Sequence, residues 1–170
     1  MTKLFQVGVL GLSKIYDMPG TWTDDDYRSL LQQLEIDDID EIAPADLLDF
    51  MDLLYKDGVG IINSALFHGG FLTGGQQFDY VTVDPDSEQG LILFGWRDAF
   101  HDLCSQHEIS PEDACIHFGY SHPAIASIAL NTSKPEKMIK NAGILSRDIP
   151  GVFWDAMKSE GIIDPNFPYL

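Results

Sequence analysis

Gly58-Val59-Gly60-Ile61-Ile62-Asn63-Ser64 is a short, nearly unbroken apolar run, entered from a glycine and left through two polar residues. A continuous apolar run, as opposed to an alternating one, marks a strand covered on both faces, as in a parallel sheet. Upstream, Pro44 and Ala45 open a helix with Leu47, Leu48, Met51, Leu54 and Tyr55 on one face and Asp46, Asp49 and Asp52 on the other; Gly58 ends it. Downstream, Ser64-Ala65-Leu66-Phe67-His68-Gly69-Gly70-Phe71-Leu72-Thr73-Gly74-Gly75 begins an excursion reaching Gln89. It is longer than a routine connection and glycine-rich, the kind of loop that carries binding.

The same strand and helix alternation runs through the chain. Leu4 to Leu10 is a buried strand, and Thr23-Asp24-Asp25-Asp26 caps a helix through Leu34. Asp38 to Ala43 is a short, acidic strand candidate. After the loop, a helix from about Glu88 to Gln106 places Ile92, Trp96, Ala99, Phe100 and Leu103 at core spacing. Ser110-Pro111-Glu112-Asp113 starts another that buries Ala114, Cys115 and Phe118. A strand from Ala124 to Leu130, a lysine-bearing helix, and a last helix from about Pro150 to Glu160 stopped by Gly161 complete the pass. One α/β domain over residues 1–170 follows, with about four parallel strands and flanking helices, as a barrel or an open sheet. Gly8, Gly11 and Gly20 lack the G-x-G-x-x-G spacing, which disfavours a Rossmann site.

Charge narrows the partners. With 27 Asp and Glu against 10 Lys and Arg, and a net charge of -17, the chain lacks the basic footprint that nucleic acid or an anionic membrane requires. Three of the ten basic residues nevertheless crowd into one segment, at Lys134, Lys137 and Lys140. Ser133-Lys134-Pro135-Glu136 reads as a capping box, so unpaired backbone N–H groups face the preceding strand end and suit a phosphate. A plain capped surface helix with its lysines in water fits the same residues.

Cys104 and Cys115 have apolar neighbours and no metal-ligand spacing, which makes them reduced core residues. Met1-Thr2-Lys3-Leu4-Phe5 has no leader character, and no apolar run approaches the roughly 18 residues of a membrane span. A cytoplasmic protein is expected. His101, His107, His117 and His122 show no i, i+4 pairing, so no metal site is expected. The aspartate runs at 24–26 and 37–40 read as solvated helix ends, and Trp22, Trp96 and Trp154 as packing residues.

Three segments in order bear a family likeness: Asn63 to Gly75, Asn131 to Asn141, and Ile149-Pro150-Gly151-Val152-Phe153-Trp154 ahead of Glu160-Gly161-Ile162-Ile163. Together they resemble the aldo/keto reductases, and most closely the branch that oxidises L-fucose or D-threo-aldoses, with the likeness strongest over 44–163. The resemblance implies the C-terminal half of a TIM (β/α)8 barrel and an NAD(P)-dependent oxidoreductase acting on a sugar at C1. It places Ser64 and Leu66 over the cofactor pyrophosphate and Asn63 where many relatives stack an aromatic on the nicotinamide. Asn131, Thr132 and Lys137 fall beside the adenosine ribose, and Lys140 and Asn141 near the adenine, with Ser133 also among the cofactor-binding residues. His68 is the candidate sugar contact.

Departures from the family pattern shape the expectation further. Asn131 stands for a lysine that many relatives set against a 2′-phosphate, and Lys137 for an arginine, which favours NAD over NADP. Leu10-Gly11 stands where a Ser-Asn pair often holds the carboxamide. The family's catalytic Asp, Tyr, Lys and His come from the first four strands, which have no counterpart here. No catalytic residue is therefore assigned, and Tyr16, Tyr55, Tyr80, Tyr120 and Tyr169 are not recruited. Two functions stay open: the cofactor half of a sugar dehydrogenase, completed by an N-terminal half-barrel, or a noncatalytic nucleotide-binding or interaction module. A half-barrel with open strand edges is expected to self-associate.

Overall fold

The computed structural model describes residues 3–8, 11–14, 44–78, 81–130, 132 and 135–170, with side chains from Leu48 onward. The expected helix from Thr23 to Leu34 and strand from Asp38 to Ala43 lie outside them. In chain order the elements are β1 (Lys3–Gly8), β2 (Gly11–Lys14), α1 (Pro44–Lys56), β3 (Val59–Ser64), β4 (Gln77–Phe78) and β5 (Val81–Thr82). Then come α2 (Glu88–Gln106), α3 (Pro111–Tyr120), β6 (Ile125–Ala129), α4 (Pro135–Ala142) and α5 (Gly151–Ser159). The chain divides into two compact units, Met1–Leu66 with His122–Leu130, and Phe67–Ser121 with Asn131–Leu170.

The first unit holds a sheet of order β2-β1-β3-β6. β1 and β3 run parallel, with Lys3 opposite Val59 and Gly8 opposite Ser64; β3 and β6 run parallel, with Ile61 opposite Ile125 and Ser64 opposite Ala129. Three of the four expected strands are thus described and parallel; the fourth, Asp38 to Ala43, lies outside the described residues. β2 is antiparallel, pairing Gly11 back onto Gly8. Two intervening residues suffice for a hairpin, whereas a parallel return needs a crossover of a dozen or more.

β3 alternates buried and half-buried residues along its length, so it is less uniformly covered than its composition implies. Its inward residues Val59 and Ile61 pack with Phe50, Met51 and Leu54 of α1 and with Ala124 and Ile125. Tyr55, expected on the core face, is 53% exposed. Phe50 takes the inward position instead. It lies on the Met51 and Leu54 stripe, whereas Tyr55 sits a helical step beyond Leu54, where its hydroxyl meets water.

The buried His122 closes this unit at the amino end of β6. Its Nδ1 accepts from the Ala124 N–H at 3.1 Å, and its Nε2 lies 3.3 Å from Asp52 Oδ1 on α1. The proton therefore sits on Nε2. Burial lowers the imidazole pKa below its usual 6.5, and the Asp52 carboxylate offsets part of that shift.

In the second unit, α2, α3 and α5 bury Phe100, Leu103, Cys104, Ala114, Cys115, Phe153, Trp154 and Met157 together. Trp96 stacks on Phe100 and its Nε1–H donates to the Ile162 carbonyl at 3.1 Å. Ile92, at 67% exposure, and the exposed Ala99 fall outside this core, against expectation. The covered arc of α2 is rotated toward Phe94, Arg97 and His101, which meet the glycine-rich loop, and both residues lie just past its opposite edge. Phe118 is half-buried and stacks on Phe167.

Local chemistry sets the helix ends. Ser87 caps α2, its Oγ accepting from the Gly90 N–H at 3.0 Å and donating to the Asp84 carbonyl at 2.7 Å. Ser110 caps α3 by accepting from the Asp113 N–H at 3.1 Å, and Gly161, at φ +70, follows α5. Cys104 and Cys115 are buried and unbridged. Burial pushes the Cys104 thiol up to about 12 and raises that of Cys115 further, with the Cys104 thiolate and Glu112 adding to the effect there.

A methyl group at Gly90 would run into the Asp84 carbonyl oxygen. Gly90→Ala is therefore expected to cost about 1–3 kcal/mol of stability, read from the urea midpoint; an unchanged midpoint would contradict the close approach. His122 gives a pH signature. Because its folded pKa is depressed, the unfolded chain takes up the proton first, and stability is lost as pH falls through about 6.5. Between about pH 7.5 and pH 5.5 the wild-type midpoint should fall more than that of His122→Gln. Equal falls would clear His122 of the effect.

Candidate functional site

Parallel pairing carries the ends of β1, β3 and β6 to one edge of the first unit's sheet, where Gly8, Ser64 and Ala129 are register neighbours. The carboxyl edge of parallel strands is where ligands bind in α/β folds, because the loops that can vary start there. One residue before that edge, Asn63 is flanked by Val7 and Ile128 and is 9% exposed. Ser64 is half-buried, Ala65 takes a left-handed φ of 59, and Leu66 is buried. Of the expected cofactor residues, Asn63 and Ser64 are thus brought together on the strand edge. Gly11 opens β2, so β1 is followed at once by a hairpin.

The second unit carries the rest of the glycine-rich loop. His68–Thr73 forms a short 3-10 segment in which His68, Gly69 and Gly70 take φ values of 45, 67 and 96, with Gly74 at 100. The loop bonds to itself: Gly70 and Leu72 donate to the Phe67 carbonyl, Gly74 to Phe71 and Gly75 to Gly70. His68 is buried, its ring stacked on Phe78 at 4.5 Å. Phe78 meets Phe71 edge-on at 5.5 Å, and Phe71 meets Phe94 of α2 at 5.2 Å.

Two α2 side chains hold this loop by its carbonyls. Arg97 Nη1 donates to Gly75 at 2.7 Å and, at 3.5 Å, to Phe71; His101 Nε2 donates to Leu72 at 2.8 Å. Neither belongs to a motif. The only trace in the sequence is an arginine and a histidine four apart, hence on one helix face, after a glycine-rich segment.

Also in the second unit, α4 has no buried residue: Lys137 and Lys140 are exposed and Asn141 is half-buried. Thr132 is half-buried, while Asn131 and Ser133 lie outside the described residues. None of the candidate residues lines the pocket of about 270 Å³ between α3 and α5, which is bounded by His117, Tyr120, Asp148 and Trp154 among others. Among the described residues, no three His, Cys, Asp or Glu side chains are grouped to hold a metal, and no helix is long and apolar enough to cross a membrane.

Known proteins supply the family context. Over 119 residues the chain is 29% identical to the pyridoxal 4-dehydrogenase of Microbacterium luteolum, a match covering 68% of this chain and 33% of that protein. The chain spans about a third of the length of the curated relative it matches. Residues 3–159 match the model of the aldo/keto reductase family, so three parallel strands, their helices and the glycine-rich loop all fall within it. The chain belongs to the aldo/keto reductase family.

Proposed function

We propose that this chain is the dinucleotide-binding part of a cytoplasmic, NAD(P)-dependent aldo/keto reductase that oxidises an aldose such as L-fucose at C1, with NAD preferred. The observation that carries this reading is the placement of Asn63 and Ser64 on the carboxyl edge of the parallel strands in a chain of this family. The residue types suit a ligand rich in phosphate and hydroxyl oxygens: the first unit offers the Asn63 amide and the Ser64 hydroxyl, and the second the Thr132 hydroxyl and the exposed cations Lys137 and Lys140. When bound, the dinucleotide supplies the hydride acceptor. Ser64 and Leu66 hold its pyrophosphate in this reading, Thr132 and Lys137 its ribose, and Lys140 and Asn141 its adenine side. No arginine stands among these residues to grip a 2′-phosphate in a bidentate fork, which favours NAD. His68 reaches the sugar through its ring edge, since Phe78 stacks on its face.

The Microbacterium relative brings pyridoxal forward as a second substrate candidate. Catalysis comes in either case from a complementary N-terminal half-barrel. Among the described residues β6 is one of the two outer strands of the four-stranded sheet, with Ala126, Ser127 and Ala129 exposed, and so offers an edge to pair. The alternative is a noncatalytic nucleotide-binding or interaction module.

Calorimetric titration of the 170-residue chain should show NAD binding about tenfold tighter than NADP, and Lys137→Glu should weaken it several-fold. Tighter NADP would remove the stated preference, and binding of neither would remove the dinucleotide reading. In an NAD-linked assay with L-fucose or pyridoxal the chain alone should give no turnover and should sediment as self-associated species. Turnover by the chain alone would show that it carries its own proton-transfer groups, and a cooperative monomer would contradict the open edge.

A further inference from the structure

We propose that Arg97 is the positioning residue of the glycine-rich loop, holding it in the form that receives the dinucleotide. The ligand half of this inference rests on the function proposed above. The loop has left-handed backbone at His68, Gly69, Gly70 and Gly74, and glycine's own preferences do not select one such path among many. The selection comes from α2. Arg97 grips Phe71 twice, by its carbonyl and by its ring, with the guanidinium carbon 4.7 Å from the Phe71 centroid and 4.5 Å from that of Phe94. The same guanidinium takes the Gly75 carbonyl at 2.7 Å, and His101, one turn on, takes that of Leu72. Three carbonyls along the loop are thereby fixed to one helix face.

This is an expensive way to fill a core. The Arg97 side chain is 13% exposed, and its buried Nε lies 4.0 Å from Asp98 Oδ1, beyond hydrogen-bond reach. An apolar residue of similar length would pack there without a buried charge or an orphaned N–H. Geometry explains the choice, since a flat guanidinium lies against two rings while its Nη1 donates to two carbonyls. A loop fixed in advance loses less freedom when a ligand binds.

Arg97→Met and Arg97→Lys in the 170-residue chain test the proposal by two measurements. Amide hydrogen exchange at Gly70, Leu72, Gly74 and Gly75 should quicken about tenfold in Arg97→Met, less in Arg97→Lys, while Ala114 of α3 keeps its wild-type rate. NAD affinity should fall about tenfold in Arg97→Met and less in Arg97→Lys. Wild-type affinity in both variants, unchanged loop exchange, or faster exchange spread equally to α3 would overturn it. If the wild-type chain binds no NAD, the proposed function and the ligand half of this inference fall together. Loop exchange then still decides whether Arg97 holds the loop.

Discussion

The parallel pairing of β3 with β1 on one side and β6 on the other is the constraint from which the first unit follows. Parallel neighbours must all finish at the same edge, and each return requires a long crossover. Asn63 and Ser64 are consequently set beside Val7, Gly8, Ile128 and Ala129, whatever their side chains prefer. The opposite edge takes the structural duty. There a neutral His122 bridges the Ala124 backbone and Asp52, which ties the start of β6 to α1.

The second unit solves a different problem, how to give a glycine-rich segment one shape. Backbone bonds within the loop close its turns, but the aromatic line from His68 through Phe78 and Phe71 to Phe94 attaches it to α2. Arg97 adds a charged donor, its Nη1, to that attachment. In a chain with so large an excess of acid, a guanidinium turned inward toward carbonyls is one fewer cation for the surface. It is there for geometry and not for charge balance.

Much of this architecture is legible in the residues. Ser110 with Pro111, and Gly161, mark helix ends by capping chemistry that acts over three or four positions, and α2 runs from Glu88 to Gln106 as expected. β3 is likewise plain from its apolar run. β2 is not, because Gly-Leu-Ser-Lys has no strand pattern of its own and is extended only by pairing with β1. Phe50 and Tyr55 lie near opposite edges of one helical stripe, and only the packing partners decide which is covered. The partnerships of Asp52 with His122 and of Arg97 with Gly75 join residues far apart in the chain, and no local rule reports them. The strand-edge position of Asn63 and Ser64 was readable from pattern and family likeness, whereas the clamp behind the loop was not.

Cys104 and Cys115 remain thiols within the core that joins α2, α3 and α5. A thiol so strongly held in its protonated form and so well covered is a poor nucleophile toward alkylating reagents. Modification must wait for that core to part, so the rate of cysteine labelling is a clock for the breathing of the second unit. The chain carries this reporter without any added dye or tag.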